Sequence, residues 1–422
     1  MIIRLKQFMF FSLVGTILFL NTYLVFNFYV TNFPPDKNLI LKTNKQFLGG
    51  DFIAFYTGGK LAKTDLPNLY DLNFQKSYRL SLDKYSLKSR ESVENELPFV
   101  YPPLVACFFS WFTIFEYDKA FYAWTAFSIL LSLSSLLFLS HYLSILTIKS
   151  SFFIFFSVAG FIPYSLNCLA GGQVATIGIA IYSIVFILLK KEKDFWAGFF
   201  LSLGYYKPPL FLFFSIVILL TRGKKFFWGC LFGAVIFTSL SVLYVGFPNF
   251  EKYLSLASHY VYGRDLPDSV NLNPELGMGV FSLLATFSQT IWQSIIFYLI
   301  FFIILLLISL SLFESFKSDR NFFDLFYSFV AVSSLSLSFQ LIHYDLSILL
   351  PIFLIAFANR SSLFAYRFIT FLFIFLFYIE WAFRKLEFNN LVFNLSSLLF
   401  IFLLFFLFSS IFYSYKVKVF KK

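Results

Sequence analysis

The sequence predicts an all-α protein that crosses a membrane many times. Hydrophobic residues make up 59% of the 422 positions, and charged residues make up only 13%. The mean hydropathy is +0.78, and apolar runs of about 20 residues, long enough to span a bilayer as a helix, recur along the chain. Because the bilayer core contains no water to satisfy backbone amides, these runs should be helices rather than isolated strands.

The apolar runs predict roughly 11 to 13 transmembrane helices in a single domain, residues 1–422. Two of the runs, 195–206 and 209–221, are short and flank Lys207-Pro208-Pro209, whose prolines end a continuous helix. They form either a hairpin of short helices or one broken span, and such irregular backbone should line a polar cavity. The predicted spans are 8–30, 100–116, 119–142, 151–169, 172–190, 195–206, 209–221, 226–246, 289–313, 322–342, 345–358, 362–382 and 391–413.

Two long segments, 31–99 and 247–276, interrupt the apolar pattern and are predicted to be external loops. Short cytoplasmic loops are rich in Lys and Arg, so both basic termini and the short basic turns should be cytoplasmic. Lys207 and His343 then lie on the external side with the two loops. The basic turns are 190–193, 222–225 and 359–360.

This topology requires that one predicted span before the turn at 190–193 does not cross the membrane, or that two of the predicted spans merge into one. Residues 100–116 are the candidate, because Pro102 and Pro103 begin a short run that could enter the membrane and return. The charge bias is a physical signal of orientation and takes precedence over the count of spans.

The net charge of +11, from 33 Lys+Arg against 22 Asp+Glu, is explained by cytoplasmic loops. No basic stripe is interleaved with aromatics in a polar context, so the sequence excludes nucleic-acid binding. The three cysteines, Cys107, Cys168 and Cys230, lie in apolar runs and are expected to be buried. The sequence contains no GxxxxGK[ST], HExxH or GxSxG motif, so nucleotide-driven transport, zinc-protease and serine-hydrolase chemistry have no support.

The first long segment contains the most distinctive candidate residue, Asp51. It follows Gly49-Gly50 and begins a short amphipathic helix predicted to lie on the membrane surface. Asp51 is either the N-cap of this helix or a general base whose partial desolvation raises its pKa; spacing alone favours the cap. The apolar stripe of the helix consists of Phe52, Phe55, Tyr56 and Gly59.

Three other polar positions lie beside apolar runs. Lys207 either serves a functional site at membrane depth, where it could pair with a phosphate, or extends its ammonium to the interface. His343 is either a satisfied interfacial residue or, with Asp345 nearby, a histidine kept protonated for an anion. Gly171-Gly172-Gln173 begins a helix, where its amides could face a ligand, although close packing is the simpler interpretation.

Together these motifs resemble glycosyltransferase family 87, membrane enzymes of the GT-C superfamily that use polyprenol-phosphate sugars. The resemblance extends over about residues 49–355. It rests on the order of Gly50-Asp51, Phe55-Tyr56, Gly58-Gly59, Leu69-Tyr70-Asp71, Tyr101-Pro102-Pro103, Gly172-Gln173, Ala197-Gly198, Lys207-Pro208 and His343-Tyr344.

The resemblance implies a GT-C-like fold and an inverting transfer of a sugar, mannose or a related hexose, from a polyprenyl-phosphate-linked donor. Asp51 would be the catalytic base, and Lys207 and His343 would contact the donor phosphate. No cofactor is implied, and since Asp51 lacks an adjacent acidic partner we expect no obligatory divalent metal. The residues implied to line the substrate cavity are Tyr56, Tyr101 and Gln173.

The implied partners are the lipid-linked donor, a glycolipid or glycan acceptor, and membrane lipids. The implied location is the bacterial cytoplasmic membrane, with cytoplasmic termini and an external active site. A transporter or flippase for lipid-linked glycans is an alternative, although no internal repeat is visible. A scaffold that binds glycolipids without catalysis is a second alternative.

Overall fold

The computed structural model of the protein describes residues 16, 19–32, 48–82, 98–144, 158–262, 277–288, 290–316, 322–339 and 341–358. The predicted spans 362–382 and 391–413, both termini, the turn at 359–360 and residues 263–276 of the second predicted loop lie outside the described residues.

The described part of the chain consists of helices and contains no strand. Helix α1 covers residues 19–32. The further helices are α2 (Phe52–Thr64), α3 (Leu72–Ser81), α4 (Pro103–Ser110), α5 (Tyr117–Tyr142), α6 (Ala175–Lys190), α7 (Asp194–Leu201), α8 (Leu212–Arg222), α9 (Lys224–Val245), α10 (Phe247–Tyr262), α11 (Val280–Phe287), α12 (Ile291–Phe316), α13 (Phe322–Ser336) and α14 (Leu349–Ala358). Short 3₁₀ segments include Ser202–Tyr206, Pro208–Leu210 and His343–Ile348, and a π-helical turn covers Pro163–Leu169.

Three of the described helices, α5, α9 and α12, are long and apolar enough to cross a membrane. Four shorter apolar helices accompany them: Ala175–Lys190, Leu212–Arg222, Phe322–Ser336 and His343–Ile355. The protein is therefore an all-α, polytopic integral membrane protein, which confirms the predicted fold class.

Helix α4 has only eight residues, a length of about 12 Å, so it is too short to cross a bilayer core of about 30 Å. It packs beside α2 instead, as the ring stacking of Phe55 on Phe109 at 4.8 Å shows. This agrees with the expectation that residues 100–116 do not span. The chain is also broken at Lys207, where one 3₁₀ segment ends and a second begins at Pro208.

The second predicted loop, 247–276, begins with the 16-residue helix α10 rather than with irregular chain. Its apolar residues contact the first segment: the rings of Tyr253 and Tyr70 lie 5.6 Å apart, and Lys252 donates to the carbonyl of Pro67 at 2.9 Å. The length and polarity of this segment indicated a loop, but its contacts stabilise a helix.

Two of the basic turns, 190–193 and 222–225, lie together at one end of the helices. Lys190 at the end of α6 and Arg222 at the end of α8 both lie over the ring of Phe323, at 5.6 and 4.8 Å from its centroid. Helix α6 has 16 residues and therefore extends about 24 Å from Ala175 to Lys190. Gln173, before α6, and Lys207, before α8, are thus at the opposite end of these helices.

The helix predicted after Asp51 is present as α2, and ten of its 13 residues are buried. Its apolar stripe explains one buried face, and α4 covers a second. The two helices approach closely because Gly59 has no side chain: a Cβ there would lie 2.6 Å from the backbone carbon of Phe109 and 2.8 Å from its oxygen. Helix α2 is therefore enclosed by protein as well as amphipathic.

Replacement of Gly59 with alanine should separate α2 from α4, because the new methyl group meets backbone that cannot move aside independently. We expect the free energy of unfolding to fall by about 1–3 kcal/mol, measured as a lower midpoint of thermal unfolding in detergent. Lys60→Ala, in the same helix on a partly exposed side chain, is the control and should change stability little. Equal midpoints for the two variants would contradict this packing.

Candidate active site

The turn that carries Asp51 is fixed by hydrogen bonds to distant parts of the chain. The amide of Gly49 donates to the carbonyl of Ala170 at 2.7 Å, and the hydroxyl of Tyr117 donates to the carbonyl of Gly49 at 2.7 Å. Gly49 has a φ of +79°, which glycine adopts without strain. These bonds place Asp51 beside the chain that leads into α6.

The other side of this junction is held by α5. The indole nitrogen of Trp124 donates to the carbonyl of Gly172 at 3.0 Å. Gly172 has a φ of +76°, and a Cβ on it would lie 3.2 Å from the ring of Phe121. A residue with a side chain would be strained here, so Gly172 serves close packing, in agreement with the simpler interpretation.

Asp51 occupies the N-cap position of α2, but its carboxylate makes no capping hydrogen bond. Asp71 shows the contrast, because its Oδ1 accepts from the amide of Phe74 at 2.9 Å and caps α3. The capping interpretation, which spacing favoured, therefore does not account for Asp51, and its carboxylate is available for another role.

The carboxylate of Asp51 lies against Gly171 and Gln173. A Cβ on Gly171 would lie 3.3 Å from its Oδ2, so the absence of a side chain there allows the close approach. Burial raises the pKa of the Asp51 carboxyl above its ordinary value, while a hydrogen bond from the Gln173 side chain and the charge of Lys207 act to lower it.

Lys207 is buried at 7% exposure and does not extend to the surface. Its Nζ donates to Oδ2 of Asp345 at 2.5 Å and lies 4.8 Å from the centroid of the Tyr344 ring. Oδ2 of Asp345 also accepts from the amide of Ile342 at 3.0 Å. The ammonium is thus held in one place by a buried ion pair, which does not fit a lysine that extends to the interface.

Asp51 and Lys207 line one cavity of about 280 Å³, near the lower end of the range of about 300–1,000 Å³ for small-molecule sites. Most of its surface is apolar or aromatic, with a few polar groups between. The cavity is lined by Asp51, Ala54, Phe55, Pro98, Val100, Tyr101, Pro102, Gln173, Tyr206, Lys207, Pro208, Pro209, Leu212, Tyr253, Ala257, Phe339, Ile342 and Tyr344.

Four of the predicted site residues lie in this cavity: Asp51, Tyr101, Gln173 and Lys207. The other two lie elsewhere. Tyr56 is buried, with its ring 5.3 Å from that of Tyr117 and its hydroxyl donating to the carbonyl of Phe115 at 3.0 Å.

His343 immediately precedes Tyr344, which lines the cavity where His343 itself does not. It begins the 3₁₀ segment that also carries Asp345, the partner of Lys207. The functional roles of all six predicted residues remain predictions.

Sequence reasoning did not find Tyr206 or Tyr253, and it assigned Asp345 to His343 rather than to Lys207. Tyr206 directly precedes Lys207, so its position was a usable signal. Tyr253 lies in α10, within the segment interpreted as a loop, where no local pattern distinguished it. The pairing of Lys207 with Asp345 joins residues 138 positions apart and has no local signal.

Asp345→Asn should destabilise the protein strongly, because Lys207 would remain buried without a compensating charge. We expect a loss of about 3–5 kcal/mol, measured by chemical or thermal unfolding in detergent. The double variant Lys207→Met, Asp345→Asn should recover most of that loss, since no unpaired charge remains. Asp324→Asn is the matched control: Asp324 contacts Lys190 at 2.5 Å, but the two side chains are 13% and 21% exposed, so a smaller loss is expected. If the double variant recovers no stability, the unpaired charge of Lys207 is not the cause of the loss in Asp345→Asn.

Comparison with known proteins gives one match. The family model described as Glycosyltransferase family 87 matches residues 99–338, more than half of the chain. The matched segment contains Tyr101, Gln173 and Lys207, whereas Asp51 precedes it and His343 follows it. No curated protein and no solved structure matches the chain. The chain belongs to glycosyltransferase family 87 and is a membrane glycosyltransferase.

Proposed function

We propose that the protein transfers a hexose, mannose or a related sugar, from a polyprenyl-phosphate-linked donor to a glycolipid or glycan acceptor on the external side of the membrane. One observation carries this proposal: a carboxylate with no capping role, Asp51, faces the same cavity as a buried lysine, Lys207. A base and a cation in one largely apolar cavity are the groups that transfer from a phosphosugar requires.

In the proposed reaction, Asp51 is the general base. The acceptor hydroxyl attacks the anomeric carbon from the face opposite the phosphate, and Asp51 takes its proton. A new carbon–oxygen bond forms as the bond between that carbon and the phosphate oxygen breaks, and polyprenyl phosphate leaves. The configuration at the anomeric carbon is inverted, because attack and departure occur on opposite faces.

Lys207 is proposed to contact the donor phosphate. Its ammonium has three N–H donors, so it can bond Asp345 and still donate to a phosphate oxygen. The ion pair keeps the ammonium at a defined position in the cavity, which favours a preorganised contact. His343 is proposed as a second contact to the donor phosphate. It lies next to Tyr344, which lines the cavity.

The direction of the helices supports an external site. The basic turns after α6 and α8 lie at the opposite end of these helices from Gln173 and Lys207. Lys and Arg are enriched in cytoplasmic loops, so the cavity would open toward the outer surface. A lipid-linked donor would reach it from within the bilayer.

The test is a transfer assay with purified protein in lipid, using radiolabelled polyprenyl-phosphate sugars and a membrane lipid extract as the acceptor. Asp51→Asn removes the base at almost constant shape and should lower the rate by about 10²–10⁴-fold. The proposed reaction uses no divalent metal, so wild-type transfer should continue in EDTA.

Asp71→Asn is the matched control, since Asp71 also begins a helix in the same segment but acts as its cap. It should keep near wild-type turnover once folded. Equal rates for wild type and Asp51→Asn would remove Asp51 as the base, and label that moves across the membrane without entering a product would support a flippase instead.

The pH dependence follows from the raised pKa of Asp51. Only the carboxylate accepts a proton, so kcat/KM should fall as the pH falls through this pKa. The charge of Lys207 lowers the pKa of Asp51, so Lys207→Met should move the acid-side midpoint to higher pH. Lys252→Met, on α10, is the control and should leave the midpoint in place. A midpoint that does not move in Lys207→Met would show that Asp51 does not set the profile.

A further inference from the structure

Buried tyrosine hydroxyls in this fold usually donate to backbone carbonyls. Tyr206 differs: its side chain is 5% exposed, and its hydroxyl has no hydrogen-bond partner among the described residues. The buried tyrosines that do donate, at distances of 2.6–3.3 Å, are Tyr56 to Phe115, Tyr70 to Tyr101, Tyr117 to Gly49, Tyr164 to Ser128, Tyr182 to Leu210 and Tyr327 to Tyr182.

A second polar atom in the same cavity shares this property. Gln173 is 3% exposed, and its Oε1 has no partner within the described ranges. The Gln173 side chain lies close to the Asp51 carboxyl and acts to lower its pKa. A carboxylate can only accept hydrogen bonds, so it is the NH₂ group of the amide that can donate to Asp51. Oε1 is therefore the free end of the side chain that touches the base.

The two residues that carry these groups, Tyr206 and Gln173, line one cavity together with Asp51 and Lys207. They also lie near the same helix: Gln173 precedes α6, and a Cβ on Gly178 in α6 would lie 3.1 Å from the hydroxyl of Tyr206. A buried polar group without a partner costs about 1–3 kcal/mol, so two of them on residues that line one cavity need an explanation.

We propose that the Tyr206 hydroxyl and Gln173 Oε1 bind hydroxyl groups of the substrate sugar and so determine which sugar is accepted. This inference rests on the proposed function of the cavity and extends it to two residues. A sugar hydroxyl both donates and accepts, so it can satisfy the carbonyl oxygen of Gln173 and the hydroxyl of Tyr206 alike. The tyrosine rings of the lining can contact the C–H faces of the sugar.

The arrangement gives Gln173 two functions through opposite ends of one amide. Its NH₂ group orients Asp51, and its Oε1 holds a hydroxyl of the sugar near that base. A sugar lacking the matching hydroxyl would leave a buried acceptor or donor unpaired, which is the kind of penalty that gives strong discrimination. Through Gln173, the selection of the sugar would thus be linked to the position of the base.

The decisive variant is Tyr206→Phe, which removes only the hydroxyl. Because that hydroxyl bonds no described protein group, thermal stability in detergent should be unchanged or higher. Tyr182→Phe is the matched control: both rings pack on Phe211, at 5.2 Å for Tyr182 and 5.9 Å for Tyr206. The Tyr182 hydroxyl bonds the carbonyl of Leu210 at 2.9 Å, so this control should lose stability and keep sugar binding.

Equilibrium binding to the full-length protein in nanodiscs is measured with two lipids, polyprenyl-phosphate mannose and polyprenyl phosphate without a sugar. Tyr206→Phe should weaken binding of the sugar-bearing lipid about tenfold, as expected for one lost hydrogen bond in a desolvated site, and leave the sugar-free lipid unaffected. A parallel arm uses methyl α-mannoside as a stand-in for the acceptor. Weakening in the first arm assigns the hydroxyl to the donor, and weakening in the second assigns it to the acceptor.

Unchanged binding in both arms would overturn the inference, and so would a loss of stability in Tyr206→Phe equal to that in Tyr182→Phe. The proposed function fails separately: wild-type protein would then bind the sugar-bearing lipid in a Tyr206-dependent manner but transfer no label.

Discussion

A single backbone hydrogen bond, from the amide of Gly49 to the carbonyl of Ala170, determines where Asp51, the proposed base, lies. It joins the first polar segment to the chain before α6, and the bonds from Tyr117 and Trp124 fix its two ends. Since glycine adopts a positive φ without strain, Gly49 and Gly172 allow this turn. Without the junction, Asp51 would be one more carboxylate beside the membrane rather than a neighbour of Gln173 and Lys207.

The buried pair of Lys207 and Asp345 is the second constraint. Burying two charges is costly, and such a pair is weak evidence for stability in itself. The position of the pair gives a better reason for its presence. The pair lies just before α8 and in the 3₁₀ segment before α14, so it joins two interruptions of helical structure. At both interruptions, backbone groups need hydrogen-bond partners nearby. The amide of Ile342 finds its partner in the carboxylate of Asp345 itself.

Hydropathy and proline positions predicted the helical class, the break at Lys207-Pro208 and the helix after Asp51, because these signals depend on neighbours in sequence. The cavity contacts depend on distant residues, and so they were not predictable locally. Tyr56 illustrates the difference. It shares the apolar stripe of α2, and the family resemblance implied that it lines the substrate cavity, but its ring packs on Tyr117 and its hydroxyl donates to the carbonyl of Phe115. An apolar stripe predicts which residues are buried, but it does not predict which residues they pack against.

The match to family 87 covers residues 99–338, so the matched region contributes most of the cavity, including Tyr101, Gln173 and Lys207, while Asp51 comes from the chain before it. As the proposed base, Asp51 is held only as firmly as the junction of its segment with the rest of the protein. For the proposed reaction, the contacts between α2 and α4 and the Gly49 turn therefore matter beyond stability, since any movement there changes the distance from Asp51 to Lys207.

Charge in the cavity gives a last reason for this arrangement. Among the described lining residues, Lys207 is the only cation and Asp51 the only carboxylate, with Asp345 directly behind the lysine. In the proposed reaction, the donor phosphate gains one negative charge as it leaves, and Asp51 loses one as it takes the proton of the acceptor. The total charge of a poorly solvated cavity then stays constant. Because burial raises the pKa of Asp51, its neutral form is easier to reach, and the transfer creates no additional charge where water could not stabilise it.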